Sequence, residues 1–409
     1  MRAGDPAIEP SLGEILHRWG WIGCVGFGGP PAHVTLFREL CVERRDWLSD
    51  EQFERALAAT NLLPGPASTQ LAIYCAWRLR GGRGALVGGL GFILPGLLAL
   101  LALSAAFLSH APPAWLRGAG MGAGAAVAAV AVGAGLGVAA PIWRRASGDG
   151  RARVIAYGLA GGVASALVGP WLVLVLLGCG SLELARQRLG AGPGGALLST
   201  APGAWMLAPR ASAVVAGALG RWPALVGGAD PGGVAALTWT ALKVGALAFG
   251  GGFVIVPLMQ SDAVGTYHWM TQGQFLNAVA LGQVTPGPVT HTVAAVGYSA
   301  GGLPDALLAA AVAFAPSFSF VLIGAERFER LLDDRRALAF LAGAAPAAAG
   351  AIVGAAVPLA GALGETWQYA LLAVAAVALL ALRMRVVPTL LAAGLAGTVA
   401  ALLGAPIPH

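Results

Sequence analysis

Two short segments of the chain, Pro64-Gly65-Pro66 and Pro286-Gly287-Pro288, are each followed by side chains that donate hydrogen bonds. Proline fits the first turn of a helix, where its missing N–H costs little, and the free N–H groups of a helix start attract anions. The pattern therefore predicts two helix starts that together bind a tetrahedral anion. The donors that follow the segments are Ser68, Thr69, Gln70, Thr290, His291 and Thr292.

Further polar and flexible positions lie close to the same two segments. Asn61, Gln283 and Thr285 come just before the breaks and add donors. Two Phe-Gly-Gly triplets precede them, and glycine there permits a close approach of the backbone to a bound group. The alternative is that the hydroxyl groups only cap helices and the glycines only pack them. The triplets are Phe27, Gly28, Gly29 and Phe249, Gly250, Gly251.

Three ionisable side chains are candidates for a role in apolar surroundings. Lys243 is the only lysine and lies within the apolar run 237–258. Such a residue is either functional or extends its charge to the surface along its apolar stem. His291 and His33 lie nearest the predicted site, and because histidine titrates near neutral pH, either can couple a proton to an anion. For both histidines the alternative is a buried, hydrogen-bonded ring.

The composition indicates which elements hold these residues. Of 409 residues, 57% are hydrophobic and 11% are charged, and the mean hydropathy is +0.75. These values exclude an ordinary soluble enzyme and indicate a membrane protein. The apolar runs are continuous, unlike the alternating strands of an outer-membrane barrel. We therefore expect an all-α bundle embedded in a lipid bilayer.

Other function classes lack the residues that they need. The four cysteines form no CxxC pair, and no Walker or HExxH sequence occurs. We expect no metal, no cofactor and no enzyme activity, so an ion gradient must supply energy. The net charge of +6 comes from arginines in short loops, which indicate orientation and not nucleic-acid binding. The glycines from Gly118 to Gly124 mimic a dinucleotide loop but fit helix packing.

The chain contains an internal repeat at a shift of 222 residues. The shift superimposes both triplets and both Pro-Gly-Pro segments without a gap, and 15 of the 44 positions from Gly23 to Pro66 are identical. We expect each repeat to have an opening helix, the Pro-Gly-Pro break and four long apolar stretches. The predicted division is a first repeat, 1–185, a linker, 186–235, and a second repeat, 236–409.

These motifs resemble the signatures of the two-domain chromate ion transporter family, and the resemblance spans both halves. It implies export of chromate across the cytoplasmic membrane, driven by the proton gradient and conferring chromate resistance, with sulfate as the chemically similar anion. The segments that carry it are Phe27-Gly28-Gly29-Pro30, Leu63-Pro64-Gly65-Pro66, Phe249-Gly250-Gly251 and Thr285-Pro286-Gly287-Pro288-Val289.

Arginine placement orients the two repeats separately, because Lys and Arg in short loops mark the cytoplasmic side. Residues 38–50 hold three arginines and their counterpart 260–272 holds none. The difference reverses later, since residues 110–117 hold one arginine and their counterpart 326–336 holds four. We expect inverted repeats, an architecture that many secondary transporters use for alternating access.

Basic loops on both sides of the first Pro-Gly-Pro segment would lie on one face of the membrane, so the chain must turn back between them. The arms 52–63 and 67–77 are each about 17 Å long at 1.5 Å per residue, too short to span a bilayer. We expect a re-entrant hairpin and five full spans per repeat, about ten spans in all. The alternative is one kinked full span per segment.

The leading hypothesis is a secondary active exporter of chromate with the paired helix starts as its anion site. One alternative is a transporter of sulfate or another small oxyanion, in either direction. A membrane-embedded enzyme and a passive channel are further alternatives, although the shortage of intramembrane acids, histidines and cysteines opposes an enzyme. Transport direction, coupling ion and oligomeric state, including a homodimer, stay open.

Overall fold

The computed structural model describes most of the chain, and all of that part is helix, turn or irregular loop without a β-strand. The all-α prediction is confirmed for these residues. The described ranges are 10–62, 65–108, 112–167, 172–190, 233–248, 252–325 and 334–406. Within them, four helical stretches are long and apolar enough to cross a membrane: Ala67–Phe107, Ala114–Arg145, Val289–Gly324 and Arg335–Gly361.

The helices are numbered in chain order. Those of the first half are α1 (Leu12–Val25), α2 (Pro30–Arg38), α3 (Asp50–Leu62), α4 (Ala67–Phe107), α5 (Ala114–Arg145), α6 (Asp149–Leu167) and α7 (Leu172–Gly190). Those of the second half are α8 (Val234–Leu247), α9 (Ile255–Gln260), α10 (Gln272–Val284), α11 (Thr292–Gly324), α12 (Arg335–Gly354), α13 (Ala356–Gly361), α14 (Thr366–Ala376) and α15 (Val386–Leu402).

Local sequence explains where several helices begin. Ser11 caps α1, because its hydroxyl accepts the backbone N–H of Glu14 at 3.1 Å. Thr271 and Gln274 form a reciprocal capping box at the start of α10. Pro30 occupies the first turn of α2, where its fixed φ suits the helix.

The internal repeat recurs in the bounds of the elements. The helices α1 and α8 begin and end 222 residues apart, and so do α3 and α10. Each half also has a π-helical turn, Glu39–Arg44 and Ser261–Thr266. A left-handed residue follows each turn, Asp46 with φ of 50° and His268 with φ of 54°. The duplication therefore extends from sequence to backbone conformation.

The helix after each Pro-Gly-Pro segment breaks and folds back. In α4 the break is at Arg80 and Gly81, and Gly81 has φ of 58°, which glycine adopts without strain. Beyond it the chain returns along the arm, since a Cβ on Gly84 would lie 2.2 Å from the carbonyl oxygen of Ala76. The arm before the break, 67–79, is thus about 20 Å long.

The second half repeats this reversal. In α11 the break is at Gly301 and Gly302, where Gly302 has φ of 77°. A Cβ on Gly297 would lie 2.9 Å from the Cα of Ala306, across the turn. Both halves therefore place a short helix on each side of the Pro-Gly-Pro segment before any long helix begins.

The two halves interlock with an approximate two-fold relation. Helix α4 contacts its own counterpart α11. The contact between α5 and α15 corresponds to the contact between α12 and α7. Likewise, the contact between α6 and α12 corresponds to the contact between α14 and α5. Each of these contacts recurs with the halves exchanged, as in an isologous interface.

Small residues bring these helices into backbone contact. A Cβ on Gly122 of α5 would lie 2.2 Å from the carbonyl oxygen of Ala393, and one on Gly350 of α12 would lie 1.8 Å from that of Gly158. Such spacing leaves no room for any larger side chain. The structure thus confirms that the glycines of α5 pack helices and form no nucleotide loop.

A matched pair of substitutions in α5 tests this packing. Gly122→Val forces side-chain carbons into the backbone of α15, and we expect it to destabilise the protein by about 1–3 kcal/mol. Gly137→Val has the same intrinsic effect on a helix, but no atom lies within 4 Å of its Cβ position. The midpoint temperature of thermal unfolding in detergent should fall for Gly122→Val alone. Equal shifts for both would contradict the packing role.

Candidate functional site

The second Pro-Gly-Pro segment is a buried connection between α10 and the following helix. The hydroxyl of Thr285 donates to the carbonyl oxygen of Leu281 at 2.9 Å and so closes the end of α10. Gly287 has φ of 92°, which explains the glycine at the centre of the motif. Pro288 caps the 3₁₀ turn Val289–His291, one position before the first turn in which the sequence placed it.

This second segment is anchored to the first half of the chain. The backbone N–H of Gly287 donates to the carbonyl oxygen of Gly26 at 3.0 Å. The same oxygen lies 2.8 Å from Nε2 of His33, so this nitrogen carries the hydrogen. Helix α4 approaches from another side, since a Cβ on Gly96 would lie 2.0 Å from the carbonyl oxygen of Pro286.

His291 is fully buried beside this anchor. Its ring stands edge-on to Phe314, with centroids 5.3 Å apart, and neither ring nitrogen meets hydrogen-bond geometry. The backbone carbonyl of Ile93 lies where it can accept from the ring, in a geometry looser than that of an ordinary hydrogen bond. His33 is equally buried and stands edge-on to Phe92, with centroids 5.0 Å apart. The alternative of a hydrogen-bonded ring therefore describes His33 through Nε2, and the Ile93 carbonyl is the partner that His291 has under this alternative.

Several other predicted donors are buried without a hydrogen-bond partner. They are Oγ1 of Thr69, Oγ1 of Thr290 and Nε2 of Gln283. Thr292, in contrast, donates to the carbonyl oxygen of Val289 at 2.8 Å and acts as a cap. Because an unpaired buried polar group costs about 1–3 kcal/mol, each of these positions requires an explanation such as a bound group.

The first Pro-Gly-Pro segment resembles the second as far as it is described, since Leu63 and Pro64 lie outside the described residues. Gly65 has φ of 119°, and a Cβ on it would lie 3.3 Å from the carbonyl oxygen of Gly245 in α8. Each segment therefore lies against the opening helix of the opposite half. The residues that follow, Pro66, Ser68, Thr69 and Gln70, are buried.

The positions predicted just before the two segments differ in burial and in backbone conformation. Asn61 is exposed, whereas Gln283 at the equivalent position is buried. Gly28 and Gly29 have φ of 100° and 74°, and no atom lies within 4 Å of a Cβ on Gly29. These positive φ angles favour glycine, and the adjacent Phe27 is exposed. The second triplet, Phe249, Gly250 and Gly251, lies outside the described residues.

Lys243 is grouped with an acid and not with the Pro-Gly-Pro segments. Its Nζ forms an ion pair with Oδ2 of Asp262, which also accepts the hydroxyl of Thr240 at 2.8 Å. The amine lies 5.7 Å from the ring centroid of Trp239. A Cβ on Gly245, two residues later, would face Ala313 of α11, so Lys243 points to nearly the opposite side of α8, about 200° away.

Sequence reasoning missed two backbone positions that complete the anchor. Gly26 supplies the accepting carbonyl, and nothing marks it, because Ala248 stands at its repeat position. Gly96 gives the close approach to Pro286, and its neighbour Pro95 is a visible signal, since proline removes one backbone hydrogen bond within α4. A Pro-Gly pair inside an apolar run was therefore a usable sign.

The donors at this helix start suit an anion without the need for a fixed positive charge. The first N–H groups of the helix that starts at Val289 have no intrahelical partner and carry the positive end of its dipole. The unpaired groups of Thr290, His291 and Gln283 are close in sequence to that start. Hydroxyl, amide and imidazole N–H groups are donors that suit the oxygens of a tetrahedral dianion.

Comparison with known proteins identifies relatives across nearly the whole chain. The family model described as "Chromate transporter" matches residues 13–184 and 235–398. A "Chromate transport protein" of Cupriavidus metallidurans is 32% identical over 392 residues, 92% of this chain and 90% of the relative. One of Pseudomonas aeruginosa is 31% identical over 416 residues, 97% of this chain and 94% of the relative. No solved structure matches the chain.

The Lys243–Asp262 pair yields a test of whether the lysine binds the anion. Removing one partner leaves the other charged and buried, so Lys243→Gln or Asp262→Asn alone should cost about 3–5 kcal/mol of stability. The double variant leaves no unpaired charge and should recover most of the folded yield and of the thermal stability in detergent. A stable Lys243→Gln variant with weakened anion affinity would instead support the direct binding role.

Proposed function

The chain belongs to the chromate transporter family, and from this premise we propose that it exports chromate across the cytoplasmic membrane as a secondary active transporter coupled to the proton gradient. The curated relatives named for chromate transport are aligned with most of the chain, which supports chromate as the transported anion. Export would confer chromate resistance. As a transporter, the protein would move its substrate without altering it chemically.

The anion site of this proposal is centred on the second Pro-Gly-Pro segment. The observation that carries it is the buried, unpaired set formed by Thr290, His291 and Gln283 at a helix start. A dianion there would accept these donors together with the first N–H groups of the helix. Ser68, Thr69 and Gln70 would supply the donors of the first segment.

The geometry also supports alternating access by two inverted repeats. Contacts recur with the halves exchanged, and the basic loops of one half correspond to neutral loops of the other. Such a two-fold relation with opposite charge patterns fits an axis in the membrane plane. The chain reverses at Gly81 and at Gly302 after arms of about 20 Å, shorter than a ~30 Å hydrocarbon core, which supports re-entrant hairpins.

Ten spans follow if each half contributes five helices besides its arms. The first half would use α1, the part of α4 after its break, α5, α6 and α7. The second would use α8, the later part of α11, α12 with α13, α14 and α15. Exposed apolar side chains such as Leu98, Leu159 and Ile323 would face lipid. Helix α7 ends at Gly190, and the rest of the predicted linker up to residue 232 lies outside the described residues.

Uptake into everted membrane vesicles tests the function directly. We expect vesicles that contain the protein to accumulate labelled chromate when the lumen is acidic, because proton exit would drive chromate inward. Collapsing the gradient with a protonophore should abolish the accumulation, and excess sulfate should compete. Absence of chromate accumulation, with sulfate entering right-side-out vesicles, would overturn both the substrate and the direction.

Substitution of His291 tests the anion site and the proton role separately. His291→Ala removes a buried donor, so the KM for chromate should rise about tenfold, the equivalent of 1.4 kcal/mol. His291→Gln keeps an N–H donor but does not titrate, so it should restore affinity and lose the part of the pH dependence that His291 contributes. Normal affinity and an unchanged pH profile in both variants would remove His291 from the site.

A further inference from the structure

A second buried acid lies outside the anion site. Glu183 of α7 has only 5% of its surface exposed. Its Oε2 accepts the hydroxyl of Tyr157 at 2.8 Å and lies 3.5 Å from Nε of Arg153, both on α6. A buried carboxylate in an apolar helix is a functional candidate by default, because its charge is costly there.

The ion pair of Glu183 is long, and its two partners are unequally buried. The Arg153 side chain is 34% exposed and the Glu183 side chain 6%, so the acid is far more buried than its base. The single 3.5 Å contact contrasts with the close pair of Lys243 and Asp262. The carboxylate is therefore held by one hydroxyl and by one long contact with a partly exposed arginine.

Glu183 also lies where the two halves meet. A Cβ on Gly343 of α12 would lie 3.0 Å from the Cβ of Glu183 and 2.2 Å from the carbonyl oxygen of Cys179. Movement of α12 against α7 would therefore change the burial of the carboxylate. The equivalent contact of α5 with α15 joins Gly118 and Gly397, so it has no acid.

We propose that Glu183 is a proton-binding site that couples the relative movement of the two halves to the proton gradient. Proton binding neutralises the carboxylate and frees Arg153, and renewed exposure releases the proton. The surrounding titratable groups are Arg153 and Tyr157 on α6 and Cys179 on α7, since α12 has none after Arg336. Arginines in α6 and late in α7 place this site toward the cytoplasm. The inference rests on the proposed function.

Proton flux during transport tests the role of Glu183. Chromate added to everted vesicles under an imposed membrane potential should make the wild-type lumen more alkaline, as read by a trapped pH dye. Glu183→Gln should lose this alkalinisation while chromate uptake driven by the potential persists, and Glu183→Asp should retain part of it. The matched control is Glu54→Gln, which removes an exposed acid paired with Arg38 and should leave the flux unchanged.

The outcomes separate this inference from the proposed function. Wild-type chromate uptake with equal proton flux in Glu183→Gln would overturn the role of Glu183 alone. Chromate uptake without proton flux in the wild type would overturn both the proton coupling and the role of Glu183. If chromate is not transported, pH-difference infrared spectra of the purified protein still decide whether Glu183 binds a proton. A protonated carboxyl band that disappears in Glu183→Gln is the expected result, and its absence from the wild type would show that Glu183 stays ionised.

Discussion

The carbonyl oxygen of Gly26 holds the two halves together at the point where the chain leaves helical geometry. It accepts the N–H of Gly287 at 3.0 Å and lies 2.8 Å from Nε2 of His33. Buried non-helical backbone must find hydrogen-bond partners within the protein. The second Pro-Gly-Pro segment meets this constraint by using a carbonyl just past the end of α1. The position of His291 and of the helix start behind it depends on that bond.

Duplication produced a nearly symmetric scaffold with asymmetric chemistry. The bounds of α1 and α8, the π-helical turns and the backbone reversals recur in both halves. Yet His291 stands where the first half has Thr69, and the repeat positions of Lys243 and Asp262 are Trp21 and Leu40. Backbone geometry is thus shared, because glycine and proline impose it locally, while ionisable groups differ because each half faces different surroundings.

Much of the fold was predictable from patterns that repeat or act locally. The shift of 222 residues predicted the paired helices, and the glycines of α5 predicted close helix packing. The residues of the anchor were not predictable, because Gly26 meets Gly287 only through the tertiary fold. The same holds for Tyr157 and Glu183, which lie 26 residues apart on different helices. No periodicity or motif encodes such pairings.

The pairing of Lys243 with Asp262 has a consequence for how an anion can move. A free lysine beside the helix starts would bind a dianion strongly and hold it, whereas transport requires binding that is favourable but reversible. Neutralising the only lysine by a buried acid leaves the predicted site with helix dipoles, hydroxyl groups and an imidazole. Each of these contributes a partial charge or a single hydrogen bond. In the proposed site, several such weak interactions would bind a dianion reversibly, which is what transport requires.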